Sequence, residues 1–302
     1  MLLIVAESSG SSPGRAGYKM AVGADHELCG SIGGGVMEVN IVEQSRAALL
    51  EPGERSLAIS EQVHQKNSPH SSGMICSGKQ TVIFCLLTSD KAETVAAVID
   101  VLERRTTAYL TITPSRFSVE PSEGEGQHED FKFERHTDSE FIYADRLGVK
   151  NTLYIIGGGH CALALSELMS KMDFRISIFD DRPELNTLAK NQFADEITII
   201  ENYESIAEFI PSGANAYVVV MTLGFKSDEI VIRSLFDKDF KYFGVLGSRA
   251  KMRTLLNTLE KDGFSKERLS QIHTPIGLPI NSRTPEEIAV SIAAEIISIK
   301  NS

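Results

Sequence analysis

Beyond Lys150 the chain alternates short apolar runs with stretches of helical length, and this alternation restricts the fold more than any other feature. The runs are "TLYIIG" (152–157), "RISIFD" (175–180), "EITII" (196–200), "AYVVVMT" (216–222) and "YFGVLG" (242–247). Near-continuous apolar strands separated by helices read as a parallel sheet covered on both faces. The first run passes straight into "GGGHCA" (157–162), where Gly157, Gly159 and Ala162 fit the pattern G-x-G-x-x-G/A. That pattern gives a tight turn, close backbone approach to a pyrophosphate, and close packing of the following helix on its strand. Asp180 closes the next strand, 23 positions after Gly157, with Asp181 beside it, where a carboxylate accepts from a ribose hydroxyl. His160 opens the helix, either as a polar group behind the turn or as one facing a ligand. The same glycines also suit a plain strand-to-helix turn that binds nothing. At the far end, Thr284, Pro285 and Glu287 spell an N-cap, a first-turn proline and a capping box.

The first half reads differently. "LLIVAES" (2–8) is strand-like, "SSGSSPGRAG" (8–17) is a loop, and residues 18–31 form a hairpin about Gly23, Ala24 and Asp25. A helix follows from about Val36 to Leu50, then an apolar strand at 80–87, a helix at 92–105 and a strand at 107–114. From Ser115 to about Asp145 the composition turns acidic and turn-rich. There Phe131, Phe133, Phe141 and Tyr143 alternate with polar residues, which predicts short strands within a boundary segment. The expected division is a first domain at 1–115, an acidic inter-domain arm at 116–149 and a second domain at 150–302.

Two features of the first half carry chemistry. "CGSIGGGVME" (29–38) offers successive backbone N–H groups at a helix start, which suits a phosphate or a carboxylate; it also reads as a simple hairpin-to-helix turn. "SSGMICSGKQ" (71–80) places Cys76 in a glycine-flanked loop just before a buried strand. Lys79 is placed to favour its thiolate, which suits a soft metal or sulfur chemistry; an inert cysteine is the alternative. Cys85, inside the strand, reads as a small core residue, and His64 and His70 as loop residues or ligands.

Composition excludes several classes. A net charge of −11 over 302 residues argues against a sequence-independent grip on nucleic acid or an anionic membrane. The N-terminus lacks the basic region of a signal peptide, no apolar run approaches a membrane span, and a cytoplasmic protein is expected. The four cysteines show no C-x-x-C spacing, so neither a disulfide framework nor a structural zinc site is expected.

Seven ordered blocks together resemble the XdhC/CoxI family, accessory factors for xanthine dehydrogenase and related molybdenum hydroxylases. They are "SSGSSPGRAGYKM" (8–20), "GSIGGGVME" (30–38), "SGMICSGKQTV" (72–82), "YIIGGGHCALAL" (154–165), "FDDRP" (179–183), "GVLGSR" (244–249) and "PIGLPINSRTPEEIAVSIAAEII" (275–297). The resemblance implies an α/β protein with an N-terminal XdhC/CoxI α/β domain and a C-terminal Rossmann-like, doubly wound parallel-sheet domain. It implies a cytoplasmic homodimer that binds the molybdenum cofactor as cargo, holds it while its terminal sulfur is installed by a cysteine desulfurase, and delivers it to the hydroxylase. Carried over residue by residue, Cys76 matches the cofactor-associated cysteine and candidate metal ligand. Gly33, Gly34, Gly35 and Glu38 match the glycine-rich block, and Gly157, Gly159, His160 and Asp180 fall in the Rossmann site. The two glycine cradles then grip opposite ends of one long ligand, or the Rossmann site holds a separate nucleotide or NAD(P). Two other classes stay open: an NAD(P)-dependent oxidoreductase and a protein-only scaffold for the maturation complex.

Overall fold

The computed structural model describes residues 1–25, 27–50, 57–63, 78–121 and 131–302. Two compact units divide the chain at Gly148 and Val149.

Among the described residues, the first unit holds two antiparallel sheets. One runs β3-β2-β1-β5-β4, from β1 (Leu2–Gly10), β2 (Lys19–Val22), β3 (Leu28–Gly30), β4 (Leu57–Val63) and β5 (Gly78–Cys85). The other runs β7-β6-β9-β8, from β6 (Ala108–Thr113), β7 (Arg116–Pro121), β8 (Phe131–Thr137) and β9 (Glu140–Leu147). Helix α1 (Gly35–Leu50) lies between β3 and β4 in sequence, and α2 (Ala92–Glu103) between β5 and β6. The apolar run of β1 is continuous because both of its faces are covered. Leu3 and Val5 join Ile32, Met37, Ile41, Val82 and Phe84 in one core beneath α1. Ile4 and Ala6 join Ile83, Leu110, Ile112, Phe141 and Tyr143 in a second core between the sheets. An ion pair from Lys19 on β2 to the buried Asp145 on β9 crosses this layer.

The acidic arm expected at 116–149 is therefore corrected. β7, β8 and β9 pair with β6 or with one another and complete the first unit; residues 122–130 lie outside the described set. The strand β4, which no sequence pattern announces, closes the edge of the first sheet against β5.

The second unit follows the expected alternation. Strands β10 (Asn151–Ile156), β11 (Phe174–Asp180), β12 (Glu196–Ile199), β13 (Gly213–Val220) and β14 (Phe240–Val245) form a parallel sheet in the order β12-β11-β10-β13-β14. Helix α3 (His160–Met169) and the C-terminal helix, Pro285–Lys300, pack on one face around Leu153, Ile155, Ile176 and Ile292. The other face is covered by the helices Phe225–Leu235 and Arg249–Lys261 through Val231, Leu235, Met252 and Leu255. The capping box at the start of the C-terminal helix forms as expected, with Thr284 accepting from the Glu287 N–H and Pro285 in the first turn. Strand order reverses between β10 and β13, and ligands of such sheets bind in the crevice outside the carboxyl ends of the strands at that point.

Candidate functional site

The glycine turn leaves the carboxyl end of β10 at this switch point. Gly157 has φ +105°, and a Cβ there would lie 2.4 Å from the Met221 carbonyl oxygen, so only glycine is accommodated. Its N–H donates to the Phe179 carbonyl at 2.8 Å. Gly158 donates to Asp180 Oδ2 at 2.6 Å, and its carbonyl accepts from the Thr187 hydroxyl. Gly159 is the N-cap of α3 in an extended conformation, and a Cβ built on it meets no atom within 4 Å. The fold itself thus makes no demand for glycine at 159, and open space stands beside the helix N-terminus. His160 is exposed at the first position of α3, and Ala162 is buried against the sheet.

Asp180 closes β11 as expected, but its carboxylate is fully buried and saturated by the protein's own donors. Oδ1 accepts from the Arg182 N–H at 2.9 Å and from Arg182 Nε at 2.8 Å. Oδ2 accepts from Arg182 Nη2 at 2.7 Å as well as from Gly158. Burial works to raise this carboxyl's pKa, yet the bonds from Arg182 and Gly158 outweigh it and hold the group below its ordinary range. The neighbouring Asp181 accepts from the Tyr203 hydroxyl, whose pKa is pushed well up by burial and by both carboxylates. Sequence reasoning misses Arg182 and Thr187, although Arg182 stands inside the "FDDRP" block.

In the first unit the glycine-rich block does hold an anion, and that anion is Glu38. Its Oε2 accepts from the Ser31 hydroxyl at 2.7 Å, the Ile32 N–H at 2.8 Å and the Gly34 N–H at 3.0 Å. Partial burial raises the Glu38 pKa, but these donors prevail and lower it. Gly33, Gly34 and Gly35 all take positive φ. Gly33 also abuts the proline loop, since a Cβ on it would lie 2.3 Å from the Gly14 nitrogen.

That contact belongs to a larger junction. Gln80, on β5 and fully buried, accepts from the Ser12 hydroxyl at 2.8 Å and donates to the Ile32 carbonyl at 2.9 Å. A Cβ on Gly78 would lie 2.5 Å from the Ser12 nitrogen. Three separate sequence blocks, at 8–20, 30–38 and 72–82, thus converge on one buried amide. Cys76, His64 and His70 lie outside the described residues. Lys79, expected to favour a Cys76 thiolate, pairs with Glu61 at 3.1 Å. Cys29, Cys85 and Cys161 are free thiols, and burial pushes the latter two toward the protonated form. Among the described residues no group of three or more His, Cys, Asp or Glu side chains is placed to hold a metal ion, and no helix is long and apolar enough to cross a membrane.

Comparison with known proteins assigns both halves alike. The model of the XdhC Rossmann domain matches residues 153–296, and that of the XdhC and CoxI family matches residues 1–59. The chain belongs to the XdhC and CoxI family. This XdhC-family chain is 24% identical over 299 residues to the uncharacterized protein YqeB of Escherichia coli (strain K12), matching 98% of this chain and 43% of YqeB. In Bacillus subtilis (strain 168) it matches a probable xanthine dehydrogenase subunit, with 30% identity over 161 residues, 53% of this chain and 46% of that protein. It therefore spans less than half the length of either curated relative. A solved Bacillus halodurans structure, described as a xanthine dehydrogenase, superposes with a TM-score of 0.73 at 21% identity, covering 99% of this chain and 91% of that one. At that identity the likeness establishes the shared fold.

Proposed function

We propose that this XdhC-family chain is an accessory protein of a xanthine dehydrogenase-type molybdenum hydroxylase, with the molybdenum cofactor as its cargo. The reading holds that the cofactor is kept for sulfuration, with a cysteine desulfurase as sulfur donor, and is then passed to the hydroxylase. The observation that carries it is the junction at Gln80, where three of the blocks that mark the family are brought together by buried contacts. Loops locked in this way give a rigid surface, and ligand sites on rigid elements keep their geometry better than sites on free loops. Cys76 belongs to the block that β5 continues, and it is the thiol assigned to the cargo. The Rossmann turn supports a nucleotide site, because Gly159 leaves room at the start of α3 where a pyrophosphate approaches backbone N–H groups.

The test is mass spectrometry of small molecules released from protein made in a cofactor-competent host, for wild type and Cys76→Ser. A pterin released from wild type and lost from Cys76→Ser, with equal thermal stability, is the expected result. Protein that releases no pterin but turns over a nicotinamide would replace the reading with an oxidoreductase. Pterin retained in full by Cys76→Ser would remove the role of that thiol.

A further inference from the structure

The ribose acceptor and the residue that covers it form one closed unit. A carboxylate has about four acceptor positions, and all of those on Asp180 are taken: three by Arg182 and one by Gly158. The Asp180 side chain is 0% exposed, whereas that of Arg182 is 33% exposed. The guanidinium is thus the outer layer and the carboxylate the inner one. Two of the four bonds, from Gly158 and from the Arg182 N–H, come from the backbone and are fixed by the turn. The other two, from Nε and Nη2, come from a side chain that can rotate away.

We infer that Arg182 is a side-chain lid on Asp180, and that a ribose diol reaches this carboxylate only by displacing the guanidinium. The inference rests on the reading of the Rossmann turn as a nucleotide site and names what sets its affinity. Two ribose hydroxyls replace two N–H donors, one on each carboxylate oxygen, so the count of bonds at Asp180 is unchanged by the exchange. What is lost is an ion pair, and each diol-bearing ligand must overcome it. A ligand without the diol does not compete for Asp180 and leaves the lid shut. Arg182 therefore weakens ribose recognition in particular, while its charge acts on the phosphates of every nucleotide alike.

The experiment measures binding of ADP and of 2′,3′-dideoxy-ADP to the full chain by titration calorimetry. Taking the ratio of the two affinities cancels the effect of the arginine's charge on the phosphates. Arg182→Ala is expected to raise the ADP preference about tenfold over wild type, because the ion pair that the diol must displace is gone. Asp180→Ala in the Arg182→Ala background should remove that preference. Arg182→Met keeps an unbranched apolar stem without a donor and serves as a second variant, with a thermal melt of each protein recorded. An unchanged or lower ratio in both Arg182 variants overturns the lid while leaving a nucleotide site in place. Failure of both ligands to bind any of the proteins overturns the lid and the nucleotide reading together.

Discussion

Replacing Gln80 by leucine removes the amide that ties the proline loop to the glycine-rich loop, and its surroundings set the cost. The side chain is fully buried and makes two hydrogen bonds, from the Ser12 hydroxyl and to the Ile32 carbonyl. Each bond lost leaves its buried partner unsatisfied, at a cost of about 1.5–2.5 kcal/mol. Leucine recovers roughly 1 kcal/mol through its apolar surface. The expected loss is about 2–4 kcal/mol of local opening free energy, confined to the first unit. Hydrogen–deuterium exchange, read peptide by peptide, is the suitable assay because a chain of two units has no single unfolding free energy. Amides in 8–17 and 30–35 should exchange about 30- to 1,000-fold faster, while those in 153–160 stay as in wild type. Protection in both loops within about threefold of wild type would refute the claim that Gln80 holds them together.

Two further outcomes follow from the glycines and from Glu38. Gly157→Ala should destabilise the second unit by about 3 kcal/mol in a thermal melt, because φ +105° and the Met221 carbonyl are both backbone constraints. Gly159→Ala should leave that melt unchanged yet weaken ADP binding, since its Cβ would enter only open space, where the proposed nucleotide would lie; equal melts for the two variants would contradict this. Glu38 has a folded pKa below its ordinary 4.5, so its contribution is full above that pH and is lost as pH falls through the lower, folded value. Glu38→Gln should therefore flatten the fall in stability between about pH 5 and pH 3, measured by urea unfolding at each pH. A profile as steep as wild type would show that other carboxylates account for the acid sensitivity.

The second unit is legible in the sequence because parallel βαβ units write their pattern locally. A strand buried on both faces must be apolar throughout, and Thr284, Pro285 and Glu287 lie within a single turn. Strands β7 to β9 are harder to place. Most of β7 is partly or fully exposed and only alternate residues of β9 are buried, so their outer faces of mixed charge hide their membership in a sheet. β6, which pairs with β7 and β9, stands before a composition change that looks like a boundary. The junctions are not legible at all. Nothing near Gln80 in sequence announces a bond to Ser12, 68 residues away, or to Ile32, 48 residues away. Glu38 stands out in the sequence, but as part of a ligand cradle; that the chain fills the cradle with this same carboxylate depends on the fold of the loop. Arg182 sits two residues beyond Asp180, and spacing alone does not say whether its guanidinium turns back or points away.

Gly148 ends the first unit with φ +82°, and a Cβ on it would lie 1.8 Å from the Thr106 carbonyl oxygen. Each sheet is woven from one uninterrupted length of sequence, and the two family models fall on opposite sides of this residue. The halves thus read as two cassettes, and a break at the next peptide bond would take no strand from any sheet. The one fixed requirement at that seam is the glycine itself, which must travel with the upstream cassette.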